Sequence, residues 1–322
     1  MIYIIVFIAL FVLELAYFKI ADKYNIIDKP NQRSSHSAIT LRGGGIIFAI
    51  SVLLFFILNQ FQYPYFVIGM LGVSAISFID DIKPQTRSVR FLFQILAVFL
   101  MFYQVDMFST QPIWIWLIAL IFVVGINNAY NFMDGINGIT SLYSFTVLGG
   151  LYLVNNQLPA EQQFNNNIIY YLALGNLVFA YFNCRKKAKC FAGDVGSVSM
   201  AFTLLFLSIW VILKTNNIIF ILFYALYGVD TVLTILIRLK NKENILEPHR
   251  KHVFQLLCNE FKNSQILVSV LFMIVQGAIT YGVTQVWQQP EEKQLIFAAV
   301  VLVIPAIIYG IIKYKAYKLQ LT

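Results

Sequence analysis

The stretch Gly125-Ile-Asn127-Asn128-Ala-Tyr-Asn131-Phe-Met-Asp134-Gly-Ile-Asn137-Gly138 sets Asn128, Asn131 and Asp134 three residues apart. On a helix that spacing gathers the three side chains on one face, a ladder of amide donors and oxygen acceptors suited to a nucleotide and a cation-bound pyrophosphate. Asparagine is a poor helix former and costly at membrane depth, which argues against a merely structural helix end. A second acidic site stands in Phe191-Ala-Gly193-Asp194-Val-Gly196-Ser197, where flanking glycines leave Asp194 sterically open as a hard oxygen ligand.

Asp80 and Asp81 form an adjacent pair after Ile79, followed by Lys83, Arg87 and Arg90. Two like charges side by side attract a cation or hold a proton, so the pair could bind Mg²⁺ or act on an acceptor phosphate. Carboxylates at the C-terminal end of a helix run against its dipole and call for a compensating partner. Two basic segments complete the set. Asp28-Lys-Pro-Asn31-Gln-Arg33-Ser-Ser-His36 precedes the glycines 43–45 and offers Arg33 and His36 as phosphate contacts. In Glu247-Pro-His249-Arg250-Lys251-His252, Arg250 could grip phosphate while the histidines meet sugar or phosphate oxygen.

The elements that carry these residues lie in a bilayer, because 59% hydrophobic and 12% charged residues are far from an ordinary soluble composition. The mean hydropathy is +0.74. Runs at 2–21, 113–124, 199–213 and 295–312 approach or reach the ~20 apolar residues that cross a hydrocarbon core. Further runs near 45–59, 65–79, 91–105, 138–154, 167–182, 217–237 and 266–285 bring the expectation to about eleven transmembrane helices. Backbone amides without water must bond within their own segment, so the fold class is all-α, a polytopic helical bundle and not a barrel. The first run continues into Lys19 and Lys23 with no small-residue cleavage site, so it reads as a retained span. Neither an internal repeat nor a long polar linker divides residues 1–322, and one domain is expected.

Lys and Arg are retained on the cytoplasmic side. With alternating loops, only Lys214 and Lys293 of the 23 basic residues fall on the opposite side. The N-terminus is therefore expected in the periplasm and the C-terminus in the cytoplasm. This topology accounts for the net charge of +8, so nucleic acid is set aside as a partner. Cys184, Cys190 and Cys258 map to the reducing side, and no disulfide is expected. His36, His249, His252, Asp80, Asp81, Asp134 and Asp194 all fall on that same side, as a site for a divalent cation, a nucleoside diphosphate and a phosphate acceptor requires.

Taken in order from Asp28 to His252, these motifs resemble the polyprenyl-phosphate N-acetylhexosamine-1-phosphate transferase superfamily. The resemblance implies an enzyme of a bacterial inner membrane that joins a UDP-N-acetylhexosamine, GlcNAc by default, to undecaprenyl phosphate. In such enzymes the lipid phosphate attacks the β-phosphorus with Mg²⁺ present, or Mn²⁺ in its place, and UMP leaves. It also implies roles. Asn131 and Asp194 resemble metal ligands, and Asp80, Asp81, Asp134 and Asp194 a catalytic set. Asn31, Arg33, His36, Asn128, Asn137, His249, Arg250 and His252 join Asn131 as expected substrate contacts, and a homodimer is compatible with the resemblance.

Two departures qualify it. Many bacterial relatives carry Asp at the position of Asn137 and proline at that of Leu41; an amide at 137 excludes acid–base work there. The final motif resembles a Pro-His-Arg-Lys-His form more than the triple-His form of phospho-N-acetylmuramoyl-pentapeptide transferase, which favours an O-antigen or envelope-glycan enzyme over the peptidoglycan one. An ion-coupled transporter is the alternative from another class. It predicts polar groups near mid-membrane, where Asp230 is the main candidate, and Asp230 with Arg238 also resembles a family pattern.

Overall fold

Apolar runs of this length satisfy their backbone groups only as helices, and helices make up nearly all of the fold. The computed structural model describes the chain apart from residues 29–38, 246, 248 and 322 and the side chains of 320 and 321. The expectations at Asn31, Arg33 and His36 lie outside the described residues. In chain order come α1 (Ile2–Lys23), strands β1 (Ile27–Asp28) and β2 (Thr40–Leu41), α2 (Ile46–Leu58), α3 (Pro64–Ile82) and α4 (Arg87–Gln104). Then follow a single turn α5 (Met107–Thr110), α6 (Ile113–Met133), α7 (Ile139–Asn155), α8 (Asn167–Asn183) and α9 (Gly193–Thr215). A 3₁₀ segment (Ile218–Tyr224) leads into α10 (Ala225–Lys240), and α11 (Val253–Asn259), α12 (Gln265–Val286) and α13 (Glu291–Leu321) complete the chain.

Each apolar run named from the sequence falls on one of these helices, except 217–237, which spans the 3₁₀ segment and α10. Among the described residues, seven helical segments are long and apolar enough to cross a membrane: α1, α3, α6, α9, Ile218–Lys240, α12 and α13. α2 and α7 are shorter apolar helices. The protein is an all-α polytopic membrane protein. Local signals set several boundaries: Pro64 opens α3, where its missing N–H has no helical partner to lose, and Ser264 Oγ accepts the Leu267 N–H at the start of α12. Two boundaries depart from the apolar runs. α6 continues past Val124 through the polar residues to Met133, and α9 starts at Gly193, so Asn127, Asn128, Asn131 and Asp194 are helical, whereas Asp134 and Asn137 lie past the end of α6, and the three-residue ladder does not extend to Asp134.

The bundle is built around α9. Of its most apolar window 89% is buried, against 11% for α13, which presents its surface to lipid. α9 packs on α2, α3, α6 and α7. Small residues permit the closest approach, as membrane helices that gain little from apolar contact require. A Cβ on Gly45 would come within 2.3 Å of the Gly196 Cα. Just before that contact the chain pairs with the lead-in to α9: Leu41 bridges Cys190, the Gly44 N–H donates to the Phe191 carbonyl (2.9 Å), and the Gly45 N–H to that of Ala192 (3.0 Å). The two short strands were not legible in the sequence, since pairing between distant residues defines them and no period marks them. Their consequence is to hold Arg42 over the first turn of α9.

Candidate functional site

α3 and α9 meet at one end of the bundle through a carboxylate. Asp81, in the last turn of α3, accepts the backbone N–H groups of Asp194 (2.9 Å) and Val195 (3.0 Å), so it caps the α9 N-terminus from outside that helix. Arg42 Nε donates to Asp81 Oδ1 at 2.7 Å. The Asp81 side chain is fully enclosed. Gly193 makes this possible: its φ of +72° is a left-handed conformation, and a Cβ there would stand 2.5 Å from Asp81 Oδ2.

Asp194 is thereby aimed between two arginines. Arg42 Nη2 donates to its Oδ1 at 3.2 Å and Arg90 Nη1 to its Oδ2 at 3.1 Å. Arg90 Nη1 also reaches Asp80 Oδ2 at 2.8 Å, while Asp80 Oδ1 accepts the Gln85 N–H. The adjacent acids of the sequence therefore have different surroundings. Asp81 faces helix amides, and Asp80 faces a guanidinium beside Asp194.

The Asn-rich motif supplies the facing wall from α6. Asn128 Nδ2 donates to Gln94 Oε1 (3.1 Å) of α4, and Asn131 Oδ1 accepts from Ser197 Oγ (3.1 Å) of α9. Asp134 sits just past α6 and accepts from Thr140 Oγ1 at 2.5 Å. Burial pushes its carboxyl up to about 6; the Thr140 hydroxyl opposes the rise, and the charges of Asp194 and Arg42 act in opposite directions. Asn137 is buried and binds elsewhere: its Nδ2 donates to the Arg185 carbonyl (2.8 Å) and its backbone N–H to Gln265 Oε1 (3.0 Å), tying the turn to α12 and the loop after α8.

The segment between α10 and α11 closes the opposite side. His252 precedes α11 and lies within 3.2 Å of Asp230 through Nδ1, while the Val253 N–H donates to the other Asp230 oxygen at 2.9 Å. His249 Nδ1 accepts the Lys251 N–H. Burial, with the neighbouring His252, Arg238, Lys313 and Lys251, pushes the His249 imidazole down to about 3 and keeps it neutral. Glu243 is pulled down to about 2 by its hydrogen bond from Lys251.

These walls enclose a cavity of about 970 Å³. Asn128, Asn131, Asp194, His249 and His252, all singled out from the sequence, line it. Asp80, Asp81, Asp134, Asn137 and Arg250 stand outside the lining, the first two one bond behind it through Arg90 and Arg42. The lining also includes Arg42, Arg87, Arg90, Gln94, Arg238 and Gln255, none of them expected from the sequence as a site residue, and an apolar side formed by Val73, Ile76, Phe91, Val124, Phe132 and Val198. One signal for the arginines was present in the sequence. Paired acids against a helix dipole need cations, and Arg42, Arg87 and Arg90 stand at the ends of the two loops nearest them.

Fold and cavity together define a class: a polytopic membrane protein with an amphiphilic, arginine-lined chamber at one end of its helices. Residues 63–212 match glycosyl transferase family 4. The chain is 30% identical over 266 residues to a phospho-N-acetylmuramoyl-pentapeptide-transferase of Thermotoga neapolitana, covering 74% of this chain and 83% of the relative. It is 24% identical over 275 residues to a probable undecaprenyl-phosphate N-acetylglucosaminyl 1-phosphate transferase of Bacillus subtilis, with 80% and 76% covered. An undecaprenyl-phosphate alpha-N-acetylglucosaminyl 1-phosphate transferase of Yersinia pestis is 26% identical over 270 residues, with 74% and 71% covered. The chain belongs to glycosyl transferase family 4.

Proposed function

We propose that this protein transfers N-acetylhexosamine 1-phosphate, GlcNAc by default, from a UDP-sugar to undecaprenyl phosphate, as a membrane step of O-antigen or other envelope-glycan synthesis. The observation that carries the proposal is the convergence of the α6 and α9 motifs and the α10–α11 segment on one chamber that has both an arginine wall, backed by the α3 acids, and an apolar wall. A polyprenyl phosphate is itself such an amphiphile. An oxygen of the lipid phosphate attacks the β-phosphorus of the UDP-sugar; that P–O bond forms, the bond from the β-phosphorus to the bridging oxygen breaks, and UMP departs with that oxygen. Arg42 and Arg90 would neutralise phosphate charge, and neutral His249 would hydrogen-bond sugar or diphosphate oxygen.

Asp194 and Asn131 offer oxygen donors to the chamber, linked through Ser197, whose Oγ lies 3.1 Å from Asn131 Oδ1 and 3.3 Å from the Asp194 carbonyl oxygen. Among the described residues no group of three or more His, Cys, Asp or Glu suits a metal. One carboxylate and one amide oxygen suit Mg²⁺, which uses one or two carboxylates and completes its shell with water and substrate phosphates. The second lone pairs of the Asp194 oxygens, whose first partners are Arg42 and Arg90, would serve it. Bound there, Mg²⁺ would offset the diphosphate charge and polarise the β-phosphoryl group.

The proposal extends to about eleven membrane-crossing helices in a single domain, a periplasmic N-terminus, and a chamber on the cytoplasmic face of a bacterial inner membrane. A second reading, the peptidoglycan phospho-N-acetylmuramoyl-pentapeptide transferase, draws support from the Thermotoga relative. The transporter reading loses its candidate, because both Asp230 oxygens are bound at the start of α11. The test is UMP release by purified protein given undecaprenyl phosphate, Mg²⁺ and a panel of UDP-sugars. Turnover of UDP-GlcNAc that disappears in Asp194→Ala, with the variant still folded, supports the proposal. Turnover restricted to the UDP-muramoyl-pentapeptide selects the second reading, and no UMP from any UDP-sugar removes both.

A further inference from the structure

Two buried residues of α10, to which the proposed chemistry gives no role, are bonded to the two ends of the segment that carries His249 and Arg250. Arg238 is 4% exposed and spreads its guanidinium over the first end. Its Nε donates to Glu243 Oε2 (3.2 Å), Nη1 to the Ile245 carbonyl (3.2 Å), and Nη2 to the carbonyls of Asn244 (2.5 Å) and Glu247 (3.0 Å). Asp230, eight residues earlier and ~12 Å away along the helix, holds the second end through His252 and the Val253 N–H. Thr234, between them, bonds to Asp230 and to Tyr309 of α13, and Lys313 of α13 donates to the Lys251 carbonyl. Ile245, Glu247, His249 and His252 of this segment face the chamber.

A loop between helices whose carbonyls faced only water would sample many conformations. Here three carbonyls of the loop share one buried cation. A guanidinium with four donations to residues 243–245 and 247 cannot leave them without stranding those donors, which holds these residues as a fixed part of the wall. Only a planar fork reaches three carbonyls and a carboxylate at once; a lysine ammonium is a point charge and can serve one or two of them. Since Nε, Nη1 and Nη2 are all committed to the loop, Arg238 acts on the chamber through the loop.

We propose that Asp230 and Arg238 are positioning residues that clamp residues 243–245, 247 and 249–252 as a preformed wall of the chamber, so that the sugar-diphosphate end of the substrate meets His249 and its neighbours already in place. The proposal rests on the UDP-sugar reading for its ligand and on the geometry alone for the clamp. Preorganisation of this kind acts on binding more than on bond making.

The test uses full-length protein in nanodiscs, with backbone hydrogen exchange of 243–252, calorimetric binding of UDP-GlcNAc and steady-state UMP release. Arg238→Ala is expected to speed exchange within 243–252 while leaving α9 and α12 protected. It should raise Kd and KM for UDP-GlcNAc about tenfold or more with kcat changed far less, and Arg238→Lys should recover part of both losses. Should Arg238→Ala not fold, Glu243→Ala removes the half-buried carboxylate of the same bond set and is expected to give the same two effects in weaker form. Unchanged exchange in 243–252 together with unchanged KM overturns the clamp, as does a loss confined to kcat. Wild-type protein that binds no UDP-sugar sinks the substrate reading, while the exchange measurement still decides the clamp.

Discussion

The carboxylate of Asp81 at the end of α3 receives two of the free backbone N–H groups in the first turn of α9, those of Asp194 and Val195. One acid thus closes a helix terminus and fixes the direction of the acid beside it. An amide cannot replace it, because an asparagine at this position would turn an N–H toward another N–H or toward Arg42. Asp81→Asn is expected to lower both the thermal midpoint and UMP release, and loss of a helix cap of this kind costs about 1–2 kcal/mol. Asp80→Asn should leave the midpoint nearly unchanged, since Asp80 bonds to the Gln85 N–H and a partly exposed arginine. Thermal unfolding of both variants in detergent separates them; an Asp81→Asn protein with wild-type midpoint and turnover would remove the capping role.

Arg90 bridges Asp80 and Asp194 with one nitrogen, and its side chain is 34% exposed. Exposed ion pairs contribute little to stability because water and salt screen them, so Arg90→Lys should unfold at the wild-type temperature. Its effect falls on transfer. The ammonium cannot span two carboxylates and a phosphate in one plane, and turnover is expected to fall about tenfold or more. UMP release measured beside a melting curve decides this; equal activity of Arg90→Lys and wild type would show that charge alone is needed.

Much of this site was legible before folding, and the reason differs by residue. Asn128, Asn131 and Asp194 announce themselves because amides and acids at the ends of apolar runs are costly without a purpose. Their helical setting follows from backbone bonding that continues beyond the hydrocarbon. Arg42 and Arg90 were visible as charges but not as partners: the bond from Arg90 to Asp194 joins residues 104 apart, and that of Asp81 to Val195 residues 114 apart. No local pattern encodes such pairs. Asn137 shows the converse, since its place in a conspicuous motif suggested a chamber residue, whereas its side chain holds the turn to Arg185.

The charge asymmetry makes a prediction about the membrane. Lys83, Lys187 and Lys262 lie exposed in loops at the chamber end, and Lys214 and Lys293 are exposed in the last turn of α9 and the first of α13. In a background where Cys184 and Cys258 are replaced by alanine and the buried Cys190 is kept, cysteines are introduced singly at these five positions. An impermeant maleimide applied to intact cells is expected to label the variants at 214 and 293 and to reach those at 83, 187 and 262 only after permeabilisation. Labelling of two of the three chamber-end variants from outside would overturn the proposed orientation.

Asp134 is predicted to tie pH to both activity and stability, with opposite signs. Its carboxyl titrates at about 6 in the folded protein against an ordinary 3.8, chiefly because it is buried. The folded state therefore holds this proton more tightly than the unfolded chain does. The group favours folding below the ordinary value, and that contribution is lost as pH rises through about 6. At neutral pH a buried charge is thus retained at a cost, which suits a group whose negative field acts on the neighbouring Arg42 and Asp194. Asp134→Asn keeps an oxygen for the Thr140 hydroxyl and removes the charge. At pH 7.5 the variant is expected to melt at or above the wild-type temperature yet to transfer more slowly. In the wild type, UMP release should fall as pH drops through about 6, and in Asp134→Asn that limb should flatten or move. Profiles of kcat and kcat/KM from pH 5 to 8.5, recorded beside melting curves, test both signs, and an unchanged acidic limb in Asp134→Asn assigns it to another group.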